Sequence, residues 1–260
     1  MKKSRTLTEK LHRRIKSIVF ALQMKTSKKR FWLYNGAWGF RQFFHRGSVA
    51  DIGVIYQIFK VEDYALRRLK RGDELLQRYT NMIQEGKKPL ILDLGSNIGA
   101  SVVWFAEHFK GCHIVALEPD RENFQLLEKN TYGLDVDLYP AAIGADDGLV
   151  TLIDPGNGEW GYQTQVSDSG ECQMISLTRL LNQKKSEGYS PFIVKIDIEG
   201  GEANLFSSSI DWVDRFPILI IELHDWLLPN QAISHNFIKC ISQHDRDFVH
   251  IGENVFSIKN

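Results

Sequence analysis

The sequence predicts an α/β fold, in which helices cover both faces of a mainly parallel β-sheet. Short runs rich in Leu, Ile and Val, such as 90–92 and 217–223, have the length and composition of buried strands. Amphipathic segments of helical period separate these runs, and this alternation is typical of parallel sheets. Two short strand patterns near the carboxyl terminus, 248–251 and 255–258, predict an antiparallel hairpin at the sheet edge.

Length and composition indicate one such domain with appendages. The chain has 260 residues, of which 43% are hydrophobic and 25% charged, and these values exclude disorder and a collagen-like or disulfide scaffold. The three cysteines, Cys112, Cys172 and Cys240, are far apart and form no zinc-binding pattern. We therefore expect a reducing compartment and a cytoplasmic location.

Residues 1–46 are predicted to form a basic, amphipathic arm. Residues 1–30 hold eleven Lys or Arg against Glu9 alone, which leaves 21 basic and 31 acidic residues in the remainder. An apolar stripe runs along this arm at helical spacing from Leu7 to Leu22. Such a helix can lie on the anionic inner face of a membrane, or pack on its own domain or on a second subunit of an oligomer. No nucleic-acid partner is expected, because aromatic residues do not alternate with the basic ones.

The next segment, 47–88, is predicted to be a helical cap that ends near Gly86 and Pro89. Residues 89–260 then form the cofactor-binding domain. Within it, the glycine- and aromatic-rich stretch 154–162 is predicted to be a loop that faces the substrate.

The domain opens with a strand, a glycine-containing turn and a helix. The turn, 93–99, contains an acid, two glycines and small polar side chains. These are the candidate cofactor-binding residues Asp93, Gly95, Ser96, Asn97 and Gly99. The second strand ends in Glu118 and Pro119, where a carboxylate can accept both ribose hydroxyls of an adenosine. The alternative role of Glu118 is to cap the helix that begins near Asp120.

The turn is better suited to a cation than to a pyrophosphate. It lacks the middle glycine of GxGxxG, and its acid would repel a phosphate. S-adenosylmethionine is the adenosine ligand with a positively charged sulfonium, so we expect it as the cofactor. Its adenine would rest on Ala141 and Ala142. The alternative is an NAD-dependent oxidoreductase built on the same unit.

A second acidic turn follows the strand 192–197. It places Asp197 at the end of the strand, and Glu199 and Glu202 on the way into a helix. Ligands of open α/β sheets bind beyond the carboxyl ends of the strands, so we expect Asp93, Glu118 and Asp197 to face one crevice. An acid in the first turn of a helix is also favoured by the helix dipole, which is the simpler role for Glu202.

Four stretches together resemble the FkbM family of S-adenosylmethionine-dependent methyltransferases, from about residue 48 to the end. These are 51–59 with Tyr64, 92–99, 141–144 with Asp147 and Gly148, and 195–202. The resemblance implies a Rossmann-like, seven-stranded class I methyltransferase sheet. It also implies O-methylation of hydroxyls on sugars, glycans or related natural products. Gly201 stands where the family motif has alanine, and Glu222 and His224 are similar to the family's acid and histidine after the fifth strand.

The expected catalytic residues are Asp197, His224 and Glu199, with Asp197 or His224 as the general base for the acceptor hydroxyl. A divalent metal held by Asp197, Glu222 and Glu199 would be an alternative way to lower the pKa of the acceptor, but the sequence does not require one. The acceptor is expected to be a small molecule or a glycan. A non-catalytic, membrane-associated scaffold is the second alternative to the methyltransferase.

Overall fold

The computed structural model describes residues 30–35, 39–153, 163–167 and 169–260. The apolar stripe predicted for residues 7–22 and the substrate-facing loop predicted at 154–162 lie outside the described residues. The chain forms two compact units, Met1–Glu62 and Asp63–Asn260. In the described residues, no helix combines the length and the apolar character that crossing a membrane requires.

The described part of the first unit, 30–35 and 39–62, contains an antiparallel pair of strands and two short helices. Strand β1 (Arg30–Asn35) pairs with β2 (Gly39–Phe44), and α1 (Val49–Ile55) runs directly into a π-helix (Tyr56–Val61). The Ser48 hydroxyl caps α1 by accepting a hydrogen bond from the Asp51 amide. The buried Asp51 side chain is also bound by Arg46, whose Nη2 lies 2.6 Å from Oδ1. Local capping and this ion pair therefore fix the start of the helix.

The second unit alternates strands and helices as the sequence predicts. It begins with a 3₁₀ turn (Leu66–Arg68) and α2 (Gly72–Gln84). The elements that follow, in chain order, are β3 (Lys88–Leu94), α3 (Ala100–His108), β4 (His113–Leu117), α4 (Arg121–Thr131), β5 (Val136–Tyr139), β6 (Ala141–Gly144), β7 (Gly148–Ile153), β8 (Gln163–Val166), β9 (Cys172–Ser176), α5 (Leu177–Ser186), β10 (Tyr189–Ile196), α6 (Glu202–Leu205), a 3₁₀ turn (Ile210–Arg215), β11 (Ile218–Glu222), α7 (His235–Ile241), β12 (Arg246–Ile251) and β13 (Asn254–Lys259).

Seven strands form the main sheet in the order β12-β13-β11-β10-β3-β4-β5. The contacts from β11 through β10, β3 and β4 to β5 are parallel, whereas β13 is antiparallel to both of its neighbours. The predicted Rossmann-like, seven-stranded sheet with its carboxyl-terminal antiparallel hairpin is thus confirmed. Because β3 lies between β4 and β10, the strand order reverses there, and this is where open α/β sheets bind ligands.

A smaller sheet of order β6-β9-β7-β8 stands beside the main one. Residues 163–166, whose polar composition predicts a loop, form strand β8, and residues 141–144, where the adenine is expected to rest, form strand β6. Residues 150–153 of β7 pair with β8 in antiparallel register. This pairing is long-range, and the polar composition of the segment gave no sign of it.

The main sheet is apolar on both faces, as expected for strands covered by helices. Residues 89–94 of β3 are buried, as is the whole of β4. Aromatic side chains such as Trp212, Phe216 and Phe237 fill the space between the sheet and its helices and are no more than 1% exposed. The core therefore fixes the strand ends that carry the polar residues of the site.

Candidate functional site

The glycine turn after β3 is held in place by main-chain hydrogen bonds. The amides of Gly95 and Ser96 both donate to the carbonyl oxygen of Leu117, at 3.1 and 2.9 Å, and the Ser96 hydroxyl donates to the Asp93 carbonyl at 2.8 Å. Gly95 has a φ of +79°, and a Cβ there would lie 1.7 Å from the carbonyl oxygen of Asp197. Glycine is therefore required at 95 by the neighbouring strand end, whereas the sequence suggested that a ligand needs the space.

The turn leads into α3 through two residues with positive φ. Asn97 adopts φ +48° and accepts a hydrogen bond from the Ile98 amide through its own Oδ1, at 2.7 Å. Gly99 adopts φ +86°, and a Cβ there would lie 2.9 Å from Leu127 of α4. Both residues shape the turn, and their contact with a cofactor stays a prediction.

Glu118 occupies the carboxyl end of β4 and is only 6% exposed. Its Oε2 accepts a hydrogen bond from the Asn97 amide at 2.7 Å, and its Oε1 accepts one from the Asp120 amide at 2.9 Å. Burial raises the pKa of this carboxyl to about 7, although the amide donors oppose the shift. Oε1 also accepts a hydrogen bond from Asn123 Nδ2 at 3.5 Å. Glu118 thus joins the glycine turn to the start of α4, and Oε2 keeps a lone pair for a ligand.

The other predicted cofactor residues are Pro119, Ala141 and Ala142. Pro119 borders a groove of about 490 Å³ that is also lined by Pro140, Cys172 and Gln173. Ala141 and Ala142 are buried, at 2% and 5% exposure, on opposite faces of β6. Ala141 packs into the main core and Ala142 into a small cluster with Val150 and Met174.

Lys195 is a site residue that sequence reasoning missed. It lies directly opposite Asp93 in the β10–β3 register and is 3% exposed. Its ammonium nitrogen is 3.1 Å from Asp93 Oδ1 and 3.3 Å from Asp197 Oδ2, and it donates to the Gly95 carbonyl at 2.6 Å. The signal was a charged residue in an apolar strand two positions before Asp197, hence on the same face.

This lysine changes the expected role of Asp93. The Asp93 carboxyl is fully buried, so its pKa is raised by desolvation, against which the charge of Lys195 acts. The charges of Asp93 and Asp197 raise the pKa of Lys195 well above its usual value, although burial acts to lower it. Asp93 therefore has a cationic partner within the protein, and its predicted contact with a cofactor is not needed to explain its presence.

Next to this lysine, four side chains converge at the carboxyl ends of β10 and β11. We call them the acidic cluster: Asp197, Glu199, Glu222 and His224. The His224 Nε2 atom lies 3.3 Å from Glu199 Oε2, 3.6 Å from Asp197 Oδ1 and 3.7 Å from Glu222 Oε1. The structure thus brings the three predicted catalytic residues together and adds Glu222 to them.

Glu202 orients the histidine. Its Oε1 is hydrogen-bonded to His224 Nδ1 at 2.7 Å, and both side chains are buried, at 0% and 1% exposure. Burial alone would lower the pKa of His224, but the hydrogen bond to Glu202 and the charge of Asp197 raise it to about 10. Glu202 is therefore more than a first-turn acid, and this pairing was missed because α6 and the end of β11 are brought together only by the fold.

The two glutamates of the acidic cluster have elevated pKa values. Burial and the charge of Asp197 raise the pKa of Glu199 to about 8 and that of Glu222 to about 8. Glu199 also has a φ of +50°, which a glutamate rarely adopts. Charged groups held in unfavourable surroundings are typical of functional sites.

Comparisons with known proteins identify a family for this chain. Residues 93–249 match the family model described as "Methyltransferase FkbM domain". No curated protein sequence matches the chain significantly. Similar solved structures include an O-methyltransferase from Bacillus cereus in complex with SAH, at 13% identity, a TM-score of 0.42 and coverage of 80% of this chain and 91% of that one. Another is a methyltransferase from Geobacter sulfurreducens, with 16% identity, a TM-score of 0.36 and coverage of 80% of this chain and 89% of that one.

Proposed function

Because the chain belongs to the FkbM methyltransferase family, we propose that it is an S-adenosylmethionine-dependent O-methyltransferase that acts on a hydroxyl of a sugar, glycan or related natural product. The observation that carries this proposal is the arrangement around β3. On one side Glu118 offers a buried carboxylate, and on the other Asp197 and its neighbours form the acidic cluster. A cofactor site and a proton acceptor thus share one edge of the sheet.

The residues present fit an adenosine group. Glu118 would accept a ribose hydroxyl through the lone pair that Oε2 keeps beside its hydrogen bond from the Asn97 amide. The small side chains Ser96, Ala141 and Ala142 stay predicted contacts for the rest of the adenosine, and each is at most 5% exposed. When bound, S-adenosylmethionine supplies a methyl group on a positively charged sulfur, which carboxylates such as Asp197 favour electrostatically.

The chain's own contribution to catalysis is to position the acceptor and to take its proton. The acceptor oxygen would bond to the methyl carbon, and the electron pair of the broken carbon–sulfur bond would stay on sulfur. The hydroxyl proton passes to Asp197, whose carboxylate is 27% exposed at the strand end. With a pKa of about 10, His224 would be protonated at neutral pH, so we assign the base role to Asp197 and an orienting role to His224.

An exposed aromatic residue supports a sugar or related ring as the acceptor. Trp226 is 71% exposed, and its ring centroid lies 6.3 Å from that of His224. A tryptophan ring that is not needed in the core offers a flat apolar surface with a polar N–H, on which the face of a sugar ring can stack. Replacing Trp226 would then weaken acceptor binding without affecting the cofactor.

Titration calorimetry with S-adenosylhomocysteine and with NAD tests the cofactor. We expect S-adenosylhomocysteine alone to bind, whereas binding of NAD alone would favour the oxidoreductase. Incubation with methyl-labelled S-adenosylmethionine and fractionated glycans, lipids, small molecules and nucleic acid then tests the reaction. Label in the glycan or small-molecule fraction is expected, and cofactor binding without any label transfer would favour the non-catalytic scaffold. The cytoplasmic location and membrane contact of the basic arm stay predictions.

A further inference from the structure

We propose that the acidic cluster, Asp197, Glu199, Glu222 and His224, binds a divalent metal cation through one carboxylate oxygen of each acid and through Nε2 of the histidine. The binding itself is independent of the proposed function. The role of the cation, which is to contact the acceptor hydroxyl, rests on the proposed function. Three features support the site: the spacing of the donor atoms, the orientation of the histidine and the local charge.

The donor atoms have the spacing that a metal ion requires. Ligand atoms about 2.1 Å from a common ion lie about 3.0 to 3.4 Å from one another in octahedral or tetrahedral geometry. The three carboxylate oxygens stand 3.3, 3.6 and 3.7 Å from His224 Nε2. Atoms of Asp197, Glu199 and His224 all lie within 4.8 Å of one another. A movement of these three side chains toward one another would place their donor atoms around one ion, and Glu222, which lies outside this group, would join them by turning its carboxylate toward the ion.

The histidine is fixed in the orientation of a metal ligand. A metal-binding imidazole usually directs its second nitrogen to a carboxylate, which sets the tautomer and the ring plane. Here Glu202 Oε1 and His224 Nδ1 are 2.7 Å apart, and the imidazole is 1% exposed. Nε2 points into the cluster and makes no hydrogen bond to any part of the chain that the structure describes. A buried nitrogen is thus aimed at the centre of three carboxylates with its other side already held.

The local charge also favours a cation. Five acids meet two bases in this part of the second unit, and the members are Asp93, Asp197, Glu199, Glu202 and Glu222 with Lys195 and His224. Burying such an excess of like charge is costly unless it is offset. A divalent ion that replaces the proton on His224 Nε2 would offset this excess of negative charge.

The donor set indicates the class of ion. Three carboxylates favour hard cations that prefer oxygen, and one imidazole widens the choice toward Mn²⁺ and other transition metals. A cation at this position would be a Lewis acid beside the acceptor hydroxyl and would lower its pKa. That would assist Asp197 in the proton transfer proposed above.

Titration of the metal-free full chain with Mn²⁺, followed by the loss of the electron paramagnetic resonance signal of free Mn²⁺, tests the site. No cofactor or acceptor is present in this experiment. We expect one Mn²⁺ per chain with a Kd of about 10⁻⁵ to 10⁻³ M. Glu222→Gln, which keeps the side-chain shape, should weaken binding at least tenfold, and Glu202→Gln should weaken it about tenfold to a hundredfold by releasing the histidine.

The matched control is Glu253→Gln, which removes an exposed carboxylate near Glu222 but outside the cluster. It should leave Mn²⁺ affinity within about twofold, and thermal unfolding of each variant would establish that it is folded. Absence of Mn²⁺ binding to the wild-type chain, or equal weakening by Glu222→Gln and Glu253→Gln, would overturn the site. S-adenosylhomocysteine binding, measured separately on the same metal-free protein, distinguishes this failure from failure of the proposed function.

Discussion

Two charged clusters lie at opposite ends of the strands of the main sheet, and they differ in how well their charges are matched. The first, which we call the amino-edge cluster, consists of His113, Asp135, Asp137, Lys184 and Glu187. Lys184 contacts both Asp137 and Glu187, and His113 lies 2.7 Å from Asp135 and 3.3 Å from Asp137. Opposite charges alternate here, and the carboxylates reach solvent, with Asp135 74% exposed.

The pKa values of the amino-edge cluster reflect this match. Burial would lower the pKa of Lys184, but its hydrogen bonds to Asp137 and Glu187 raise it. The pKa of Asp137 is lowered by Lys184 in spite of desolvation, and that of Glu187 is lowered by its hydrogen bond to Lys184. Each of these groups is thus held in its charged form at neutral pH.

The acidic cluster at the carboxyl edge shows the opposite behaviour. Its glutamates, Glu199 and Glu222, have pKa values raised to about 8 because they are buried beside Asp197. A buried lysine lies in or beside each region, Lys184 at the amino edge and Lys195 next to the acidic cluster, so charge density alone does not identify a site. Charges that satisfy one another indicate a structural network, whereas unmatched charges indicate a place for a ligand.

The largest expected effect comes from Asp197→Asn, which removes the proposed proton acceptor and keeps the side-chain size. The rate of methyl transfer should fall by about 10²- to 10⁴-fold, the usual contribution of a general base. Affinity for S-adenosylhomocysteine should change far less. Label transfer from S-adenosylmethionine and calorimetry measure the two quantities.

The control for this variant is Asp135→Asn in the amino-edge cluster, which should leave the rate unchanged. Near-normal turnover by Asp197→Asn would remove Asp197 from the mechanism. Equal losses in both variants would show that the contrast between the two edges has no catalytic meaning.

Lys195→Met should have the largest effect on stability. Lys195 is 3% exposed and balances Asp93, which is fully buried, so its removal leaves an uncompensated buried acid. We expect the free energy of unfolding to fall by about 3 to 5 kcal/mol. Urea denaturation followed by circular dichroism measures this change. A loss below about 1 kcal/mol would mean that Asp93 is neutral in the folded protein.

The sequence predicted which strand ends carry candidate site residues better than it predicted the side chains that contact those residues. Alternating apolar runs and helical segments identified the main sheet, and the strand-end acids Glu118, Asp197 and Glu199 were found because a chain reversal follows each strand. These are local patterns, with a period of two or 3.6 residues. The element boundaries of the carboxyl-terminal hairpin were also correct to within two residues.

The partners could not be predicted because they come from segments far apart in the chain. Lys195 meets Asp93 across about 100 residues, and Glu202 meets His224 through the packing of α6 near β11. The smaller sheet was missed for the same reason, since β8 is polar and gains its structure from pairing with β7. Strand register and tertiary packing, which a single sequence does not encode locally, decide each of these contacts.

Glu118→Gln tests the cofactor side of the carboxyl edge. The pKa of Glu118 is raised from 4.5 to about 7, so the folded protein holds this proton more tightly than the unfolded chain does. The free energy of unfolding of the ligand-free protein should therefore fall as the pH rises from about 4.5 to about 7, by roughly 3 kcal/mol at most. Glu118→Gln should flatten this slope, as denaturation at several pH values would reveal.

The affinity for S-adenosylhomocysteine should increase as the pH rises, in contrast to the stability of the ligand-free protein. The ribose hydroxyls would donate to the ionised carboxylate, so S-adenosylhomocysteine should bind more weakly below about pH 7. Glu118→Gln should weaken binding at pH 8 by about ten- to a hundredfold, the value of a hydrogen bond to a charged group, and remove the pH dependence. Glu187→Gln at the amino edge is the control, and an identical pH profile in wild type and Glu118→Gln would exclude the ribose contact.

The smallest effect is expected for Lys184→Met, the counterpart of Lys195→Met at the other edge. Lys184 is as buried as Lys195, at 2% exposure, but its partners Asp137 and Glu187 are 42% and 39% exposed. When the ammonium group is removed, water can solvate these carboxylates, so the free energy of unfolding should fall by only about 1 kcal/mol. Methyl transfer should be unchanged, because no amino-edge residue contacts the proposed site. The comparison fails if Lys184→Met and Lys195→Met lower the free energy of unfolding equally under identical denaturation conditions. The loss of stability would then depend on burial of the lysine and not on burial of its acidic partners. Matched charge would no longer distinguish the structural network from the site.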